Sequence, residues 1–516
     1  PEPVVGTVSA GAARVVDGAN PDPLTNFEVN ALVIGVGEQR AAFCSADVPV
    51  VDRAVHEAVA VKLGAAGSKV NPDAILIAAT GVHTGWKQGT VKGVLAESLF
   101  GKFDEASFNG LADAIVQAIL SAEGALAPAE YVVAETEAPD FQKTREFGST
   151  TLDSTLGVLL VQTHGGEPLG ALVNYAIQPP FDVGREAVKS RGIPGSIAQE
   201  LRARTKEDLP VLFINGAAED MEPNLGDTPE AQKEASGRIA QLALDALKGA
   251  TPKRESSFAA ATFDVEMPPT LLGDVLRQTA LVTELHLSGD RFISLPGLPA
   301  AQIGMLLRVK ALEQGAGQTF LCALTNDYQG VQPGITEFFS ESERAMMAFH
   351  GPLVIKWYAD NLVLGSAENK HWKMAPELAD RVAAFEAGLQ QGQQRKAELE
   401  EAWTVLEQGL ANLANMLVGM RNMIGKLPAE VEALLGNLSK EELPLVARQA
   451  AATYIRTSAS DYTPEQRTSL MGIAQGAGLP YDAVLLMDVL QDTSGLPAQI
   501  QGILVLNPIK GHKILE

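Results

Sequence analysis

The chain has 516 residues, 46% of them hydrophobic and 20% charged, with 40 Lys and Arg against 63 Asp and Glu, a formal charge of −23 and a pI near 4.8. That length exceeds one average domain and can bury large cores. The acidity argues against nucleic acid and anionic membrane surfaces as partners, because both need clustered Lys and Arg, and no apolar run approaches the roughly 18 residues that a membrane span requires.

The first residue is Pro1, and no signal peptide is visible. Pro1-Glu2-Pro3 is what a trimmed leader leaves, so an exported protein, periplasmic or extracellular, is the expectation. The two cysteines, Cys44 and Cys322, lie in apolar, strand-like runs (41–44 and 319–324) without zinc spacing or a CxxC pair, so buried free thiols are expected.

Residues 1–365 alternate strand-like and helix-like segments. Strands are expected over Val4–Val15, Glu28–Val36, Ala74–Ala79 and Ser257–Met267, with a strand pair, Leu156–Gln162 and Leu169–Ile177, around His164-Gly165-Gly166. Helices are expected over Val50–Leu63 and Phe108–Ala122, and from Ile193-Pro194-Gly195 through Arg204. A longer one covers Pro229–Lys248, with Thr228 as N-cap and Pro229 at its first position. The expected fold class is α/β (α+β) with a mixed sheet and helices packed outside, followed by an α-helical C-terminal region.

Composition shifts near residue 366. Residues 366–440 read as long helices, a bundle or linker: Pro376 suits a helix start, Leu406, Leu410, Leu413, Met416 and Leu417 keep helical spacing, and Met416, Met420 and Met423 suit an adaptable core or a lipid-facing groove. Lys426-Leu427-Pro428 ends one helix, and Ser439 with Glu442 caps the next. Residues 441–516 are again helical. Thr463-Pro464-Glu465 starts a helix, Gly472 to Gly478 reads as a glycine-spaced turn, a further helix begins near Pro480-Tyr481-Asp482, and Ile503–Leu506 reads as a strand.

One stretch stands out. An apolar run, Leu209–Ile214, breaks into Asn215-Gly216-Ala217-Ala218-Glu219-Asp220-Met221-Glu222-Pro223-Asn224. Strand C-termini are where α/β domains place sites. The three carboxylates, Glu219, Asp220 and Glu222, read either as a solvated acidic loop or as the floor of an active site.

Seven segments share one order: Ala10–Val15, Ala78–Gly85, Asn174–Pro179, Ile193–Gly195, Asn215–Asn224, Ser294–Pro299 and Thr325–Gly330. Together they resemble the neutral (non-lysosomal) ceramidase family, zinc amidases that cleave the N-acyl bond of ceramide. The resemblance implies an α/β domain over residues 1–365. It also implies positions for four zinc ligands and a catalytic Ser, and here the chain departs. The first ligand, a His of Thr-His-Thr-His-Ser-Gly, aligns with Gly81, and only the second His survives, as His83. The His before Pro aligns with Gln178, the Glu of Leu-Pro-Gly-Glu-Pro with Leu298, and the Tyr beyond Asn-x-Tyr-x-Gly with Val331. The Ser of Gly-Asp-Val-Ser-Pro-Asn aligns with Glu222, flanked by the matching Asp220, Pro223 and Asn224. Zinc needs three or four N, S or O donors, so no metal and no cofactor is expected in the domain. A rebuilt site from His83, Asp47, Glu219, Asp220 and Glu222 is the competing expectation, with Arg145, which resembles a retained family arginine, pairing with the carboxylates or binding substrate. His56, His164, His286, His350 and His371 show no partner spacing.

The segment Tyr462–Asp488, with Gly472-Ile473-Ala474-Gln475-Gly476-Ala477-Gly478, is similar to the pre-nucleophile region of isopenicillin-N acyltransferase-like N-terminal-nucleophile hydrolases, which cut themselves before a nucleophilic Cys. No Cys follows Asp488. Either Glu516 marks a processing point and a β fragment with an N-terminal Cys is the partner, or the sequence is truncated. Three functions follow. The chain is the α fragment of an autoproteolytic amide hydrolase or acyltransferase acting on a small N-acyl or lipid-like substrate, with the ceramidase-like domain as scaffold or binding module. Alternatively it is a ceramidase-type amidase with a rebuilt site, or a non-catalytic binding protein.

Overall fold

The computed structural model describes residues 3–18, 22–83, 89–92, 100–145, 151–178, 190–226, 228–268, 277–334, 338, 348–352, 354, 357–358, 376–404, 462–479 and 481–489. The helical and capping expectations over Leu406–Glu442, the strand at Ile503–Leu506, His371 and Glu516 lie outside them. The chain folds as two units, one of Pro1–Met267 with Thr279–Trp372, the other of Pro268–Gln278 with Lys373–Glu516.

The first unit runs β1 (Val4–Asp17), β2 (Phe27–Val36), β3 (Gln39–Ala46), α1 (Arg53–Ala65), β4 (Ile75–Ala79), α2 (Glu105–Gly124), β5 (Ala127–Glu137), β6 (Gln142–Thr144), β7 (Thr155–Thr163), β8 (Pro168–Tyr175), α3 (Gly192–Arg204) and β9 (Val211–Asn215). It continues with β10 (Met221–Pro223), α4 (Pro229–Leu247), β11 (Glu255–Glu266), β12 (Thr279–Leu287), β13 (Asp290–Leu295), β14 (Leu298–Pro299), α5 (Ala301–Glu313), β15 (Thr319–Ala323) and β16 (Val331–Gln332). The second unit contributes α6 (Pro376–Gln394), α7 (Pro464–Ala477) and α8 (Tyr481–Val489). The mixed α/β architecture is as the sequence predicts.

Twelve strands form one mixed sheet in the order β15-β13-β12-β11-β1-β5-β7-β8-β9, with β2, β3 and β4 branching from β1. The branch exists because β1 is 14 residues long: Val4–Thr7 pair with β11, Val8–Asp17 with β2, and Ser9 and Ala10 also with β5. The sheet therefore folds over on itself. Alternate residues of β2 show the result: Val29, Ala31 and Val33 pack under α1 and α2, whereas Leu32 and Ile34 enter the core between the two sheet arms. A third core lies between β7, β8, β9 and helices α3 and α4. Every residue of β2 is buried, on both faces of the strand and including Glu28 and Asn30. In the middle core Phe43 meets Phe292 edge-on at 5.0 Å, and Phe292 stacks on Phe320 at 4.6 Å.

Among the buried charges of this interior, one cluster joins β2 to α3. Glu28 on β2 and Asp47 after β3 are buried with Arg191 and Arg202 of the α3 segment. Arg202 clasps Glu28 through two bonds of 3.0 and 2.7 Å and donates from Nε to the Leu209 carbonyl at 2.8 Å. Arg191 donates from Nε to Asp47 at 2.6 Å and approaches Glu28 to 3.0 Å. Asp47 also accepts from the Glu28 amide at 2.9 Å. Burial opposes ionisation of Glu28, but Arg191 and Arg202 outweigh it and hold the carboxyl below its usual range; at Asp47 burial wins over Arg191 and pushes the carboxyl up. Two carboxylates against two guanidiniums make the cluster self-neutralising, and it pins α3 to the sheet.

In the second unit the structure corrects the reading of Gly472–Gly478 as a turn. Gly472 and Gly476 lie inside α7, and only Gly478, at φ 72°, ends it. They face Gly388 and Gly392 of α6. A Cβ on Gly388 would sit 2.2 Å from the Ser469 carbonyl oxygen, and one on Gly472 2.1 Å from the Phe385 carbonyl oxygen. The glycines recur at four-residue spacing because they let two helices touch backbone to backbone. The start of α7 is as expected, with Thr463 and Gln466 forming a reciprocal capping box.

Arg202→Met removes the two-bond partner of the buried Glu28, leaving it Arg191 and the longer Arg14 contact, and should lower unfolding stability by about 3 kcal/mol, read by urea titration. Gly472→Ala sets a gain of up to about 1 kcal/mol in helix propensity against an overpacking penalty of about 1–3 kcal/mol; the 2.1 Å clash decides for the penalty. Hydrogen exchange across α6 and α7 should therefore speed up, and slower exchange would contradict the close packing. His56, buried on α1, has its pKa pushed down to about 4 by burial, from 6.5. It stays neutral when folded, whereas the unfolded chain takes up a proton below pH 6.5. Its contribution is thus complete above pH 6.5 and lost as pH falls towards 4, by up to about 3 kcal/mol. His56→Leu should flatten the stability profile in that window, measured by denaturant titrations at several pH values.

Candidate functional site

Several of the sequence motifs lie at strand ends; Ala10–Val15 instead lies within β1 and Ile193–Gly195 in the first turn of α3. Asn215, the last residue of β9, prolongs the parallel β8–β9 ladder with its side chain, accepting from the Ile177 amide at 3.1 Å and donating to the Ile177 carbonyl at 3.0 Å. Gly216 follows in close approach: a Cβ there would lie 3.0 Å from that of Ala176. The 294–299 and 325–330 motifs are likewise one structure. Gly297, at φ 132°, abuts the Gly330 carbonyl, where a Cβ would come within 2.5 Å, and Leu298 donates to that same carbonyl at 3.1 Å. Asn326 completes the edge of β4, its amide accepting from the Ile77 N–H at 2.8 Å and donating to the Ile75 carbonyl at 2.7 Å.

The acidic loop is not solvated. Glu219 and Asp220 are buried, and Asp220 accepts from the Ala301 amide at 2.7 Å, so it caps the N-terminus of α5, whose N-cap position is held by Ala300. That assignment makes Asp220 a structural carboxylate. Glu219 offers its main chain: its amide donates to Pro299, and its carbonyl accepts from Gln178 Nε2 at 2.7 Å and from Arg145 at 2.9 Å. Arg145 also donates to Gln178 Oε1 at 2.5 Å. Glu222, half-buried on β10, lies 3.5 Å from Arg145 Nε and 3.4 Å from Lys143 Nζ, the latter its register partner on β6. Strand alternation on so short a segment carried no sequence signal for Lys143.

The four aligned positions separate into three environments. Leu298 and Val331 are register partners in the two-residue ladder of β14 and β16, and Leu298 packs with Ala176, Ala218, Met221 and Ala301. Gln178 is buried in the Arg145 bonds just described. Gly81 stands at φ 81°, a left-handed conformation that disfavours a His there. His83 is half-buried beside Phe100, ring centroids 6.1 Å apart, and burial pushes its pKa down to about 4, so it is neutral at pH 7. Phe100 in turn meets Tyr328 edge-on.

The structure thus brings Arg145, Gln178, Glu219, Asp220, Glu222, Leu298 and Val331 into one contiguous region. Asp47 belongs instead to the Arg191 cluster. Among the described residues no three of His, Cys, Asp and Glu are grouped as a metal ion would require. The remaining histidines are spent locally: His164 contacts the Ala129 carbonyl, His286 pairs with Glu284, and His350 with Gln329. Both cysteines are buried free thiols, and burial pushes Cys44 far up and Cys322 to about 12. No helix among the described residues is long and apolar enough to cross a membrane.

No protein-family model matches the sequence, and no curated protein is similar to it. Solved structures are. The crystal structure of neutral ceramidase from Pseudomonas aeruginosa is similar with a TM-score of 0.60 at 14% identity, over 69% of this chain and 73% of that one. A ceramidase complexed with C2 is similar with a TM-score of 0.61, again at 14% identity, over 72% of this chain and 78% of that one. At such identity the likeness concerns the fold alone, and on that footing this chain has a ceramidase-like fold.

Proposed function

We propose that the ceramidase-like unit binds or presents an N-acyl amide without cleaving it by zinc chemistry, and that the nucleophile of any hydrolysis belongs to a partner fragment. The observation that carries the reading is the closure of the aligned ligand positions on themselves. Zinc takes three or four side-chain donors. Leu298 and Val331 offer none and pair with each other, Gly81 offers none, and the Gln178 amide is spent on Arg145 and Glu219. These residues do not fit the metal, so no step is derived through it. Glu222 cannot replace a serine hydroxyl, and its carboxylate is shared by Lys143 and Arg145. Neither cysteine is a nucleophile here, because thiols with raised pKa stay protonated at neutral pH.

What the region does offer is recognition. Arg145, half-buried beside Glu222 and held in place by Gln178, is the charged donor, and Leu298 is a part-buried apolar side chain in the same region, a combination suited to an acyl amide. In the finer form of the proposal the partner is a β fragment whose N-terminal Cys attacks the acyl carbonyl with its own α-amine as base, and the protein acts after export. The similarity of Tyr462–Asp488 to pre-nucleophile segments supports this form, although its glycines serve helix packing.

The test uses the full chain. Metal analysis should find zinc well below one equivalent, and a chelator should leave both N-acyl ligand binding and thermal stability unchanged. The isolated chain should bind N-acyl amides without turnover. One tightly bound zinc with chelator-sensitive turnover would overturn the proposal; chelator-insensitive turnover lost in Glu222→Gln would replace it with a rebuilt acid–base site. Glu222→Ser should produce no amidase activity, since the hydroxyl returns without any ligand set.

A further inference from the structure

The motif Ala10–Val15 takes no part in the site above. On β1 it borders a separate cavity of about 400 Å3, lined by Ala12, Ala13, Leu169, Leu209 and Pro210 together with the charged Arg14, Lys206 and Asp208. The strand keeps small residues here for packing reasons: a Cβ on Gly170 would sit 2.7 Å from the Ala12 Cβ, and one on Gly11 2.2 Å from the Ala122 carbonyl oxygen. Small residues on the strand and larger apolar ones opposite leave a cavity within the size range of small-ligand sites.

Charge is distributed unevenly around it. The buried carboxylates Glu28 and Asp47 are already matched by Arg191 and Arg202. Arg14 is a third guanidinium, and it meets Glu28 in a single long contact of 3.4 Å. It is half-buried on the cavity wall, so the local excess of one positive charge resides with Arg14. Lys206 pairs with Glu167 at 3.1 Å, and Asp208 is a second carboxylate beside it. Arg14, Lys206 and Asp208 all line the cavity, two cations and one carboxylate, and a net single positive charge favours a monoanion over a dianion. A guanidinium matches the flat, forked geometry of a carboxylate, and the apolar wall suits a short aliphatic body.

We propose that this cavity is a binding site for a small aliphatic monocarboxylate, anchored by Arg14. The probe is hexanoate, titrated into the full chain by calorimetry or ligand-observed NMR, with inorganic phosphate and butylammonium in parallel. Hexanoate should bind saturably with a dissociation constant on the order of 1 mM, while phosphate and butylammonium do not. Arg14→Met keeps the aliphatic stem and should weaken hexanoate at least ~10-fold. Asp208→Asn, at an exposed position that does not threaten folding, should tighten it by a factor of about 2–5 through loss of repulsion. The opposite signs of the two variants separate the proposal from a folding defect. Absence of saturable hexanoate binding, hexanoate affinity unchanged in both variants, or binding of phosphate as strong as that of hexanoate would each overturn it.

Discussion

The buried pairing of Glu28 and Asp47 with Arg191 and Arg202 is the constraint on which the first unit most visibly depends. An isolated charge in that interior would cost several kcal/mol, so none of the four can be buried without the others. Their positions then become mutually binding: β2, the loop after β3 and the start and body of α3 have to arrive together. Helix α3 also covers the outer face of β8 and β9, whose ends carry the candidate region. The charges therefore fix where the site's supporting strands can lie, and Asp47 also accepts from Thr80 Oγ1, beside Gly81, at 3.3 Å.

The candidate region is held together by a few backbone devices: Asn215 against Ile177, Gly297 against Gly330, Asn326 along the edge of β4. These interactions hold loops in place irrespective of what the loops carry. The positions aligned with metal donors are instead filled by a leucine–valine contact, a bonded glutamine and a left-handed glycine. A guanidinium at Arg145 now ties β6, the end of β8 and the acidic loop through hydrogen bonds. The cohesion is local and needs no ion.

Much of the architecture was legible in the chain. Apolar runs marked β2, β4 and β9, helical spacing marked α1, α2 and α4, and Thr228-Pro229 and Thr463-Pro464 marked helix starts to the residue. Strands β5, β12 and β13 and helix α5 carried weaker patterns: α5 is apolar on nearly every side, so period alone does not declare it. The glycines of α7 misled because a glycine run between helices usually breaks them. Here the cost to the helix is repaid by backbone contact with α6, which lies some seventy residues away in sequence.

By itself the sequence determined the fold class and the buried state of the cysteines, because each of these follows from residue type and local pattern. Only the tertiary structure decided what the acidic loop is for. Glu219, Asp220 and Glu222 are indistinguishable as letters. One faces inward with its main chain engaged, one caps α5 from eighty residues away, and one is held between Lys143 and Arg145. A carboxylate's role is set by which donors surround it, and those donors come from elements that meet only when the sheet has folded over.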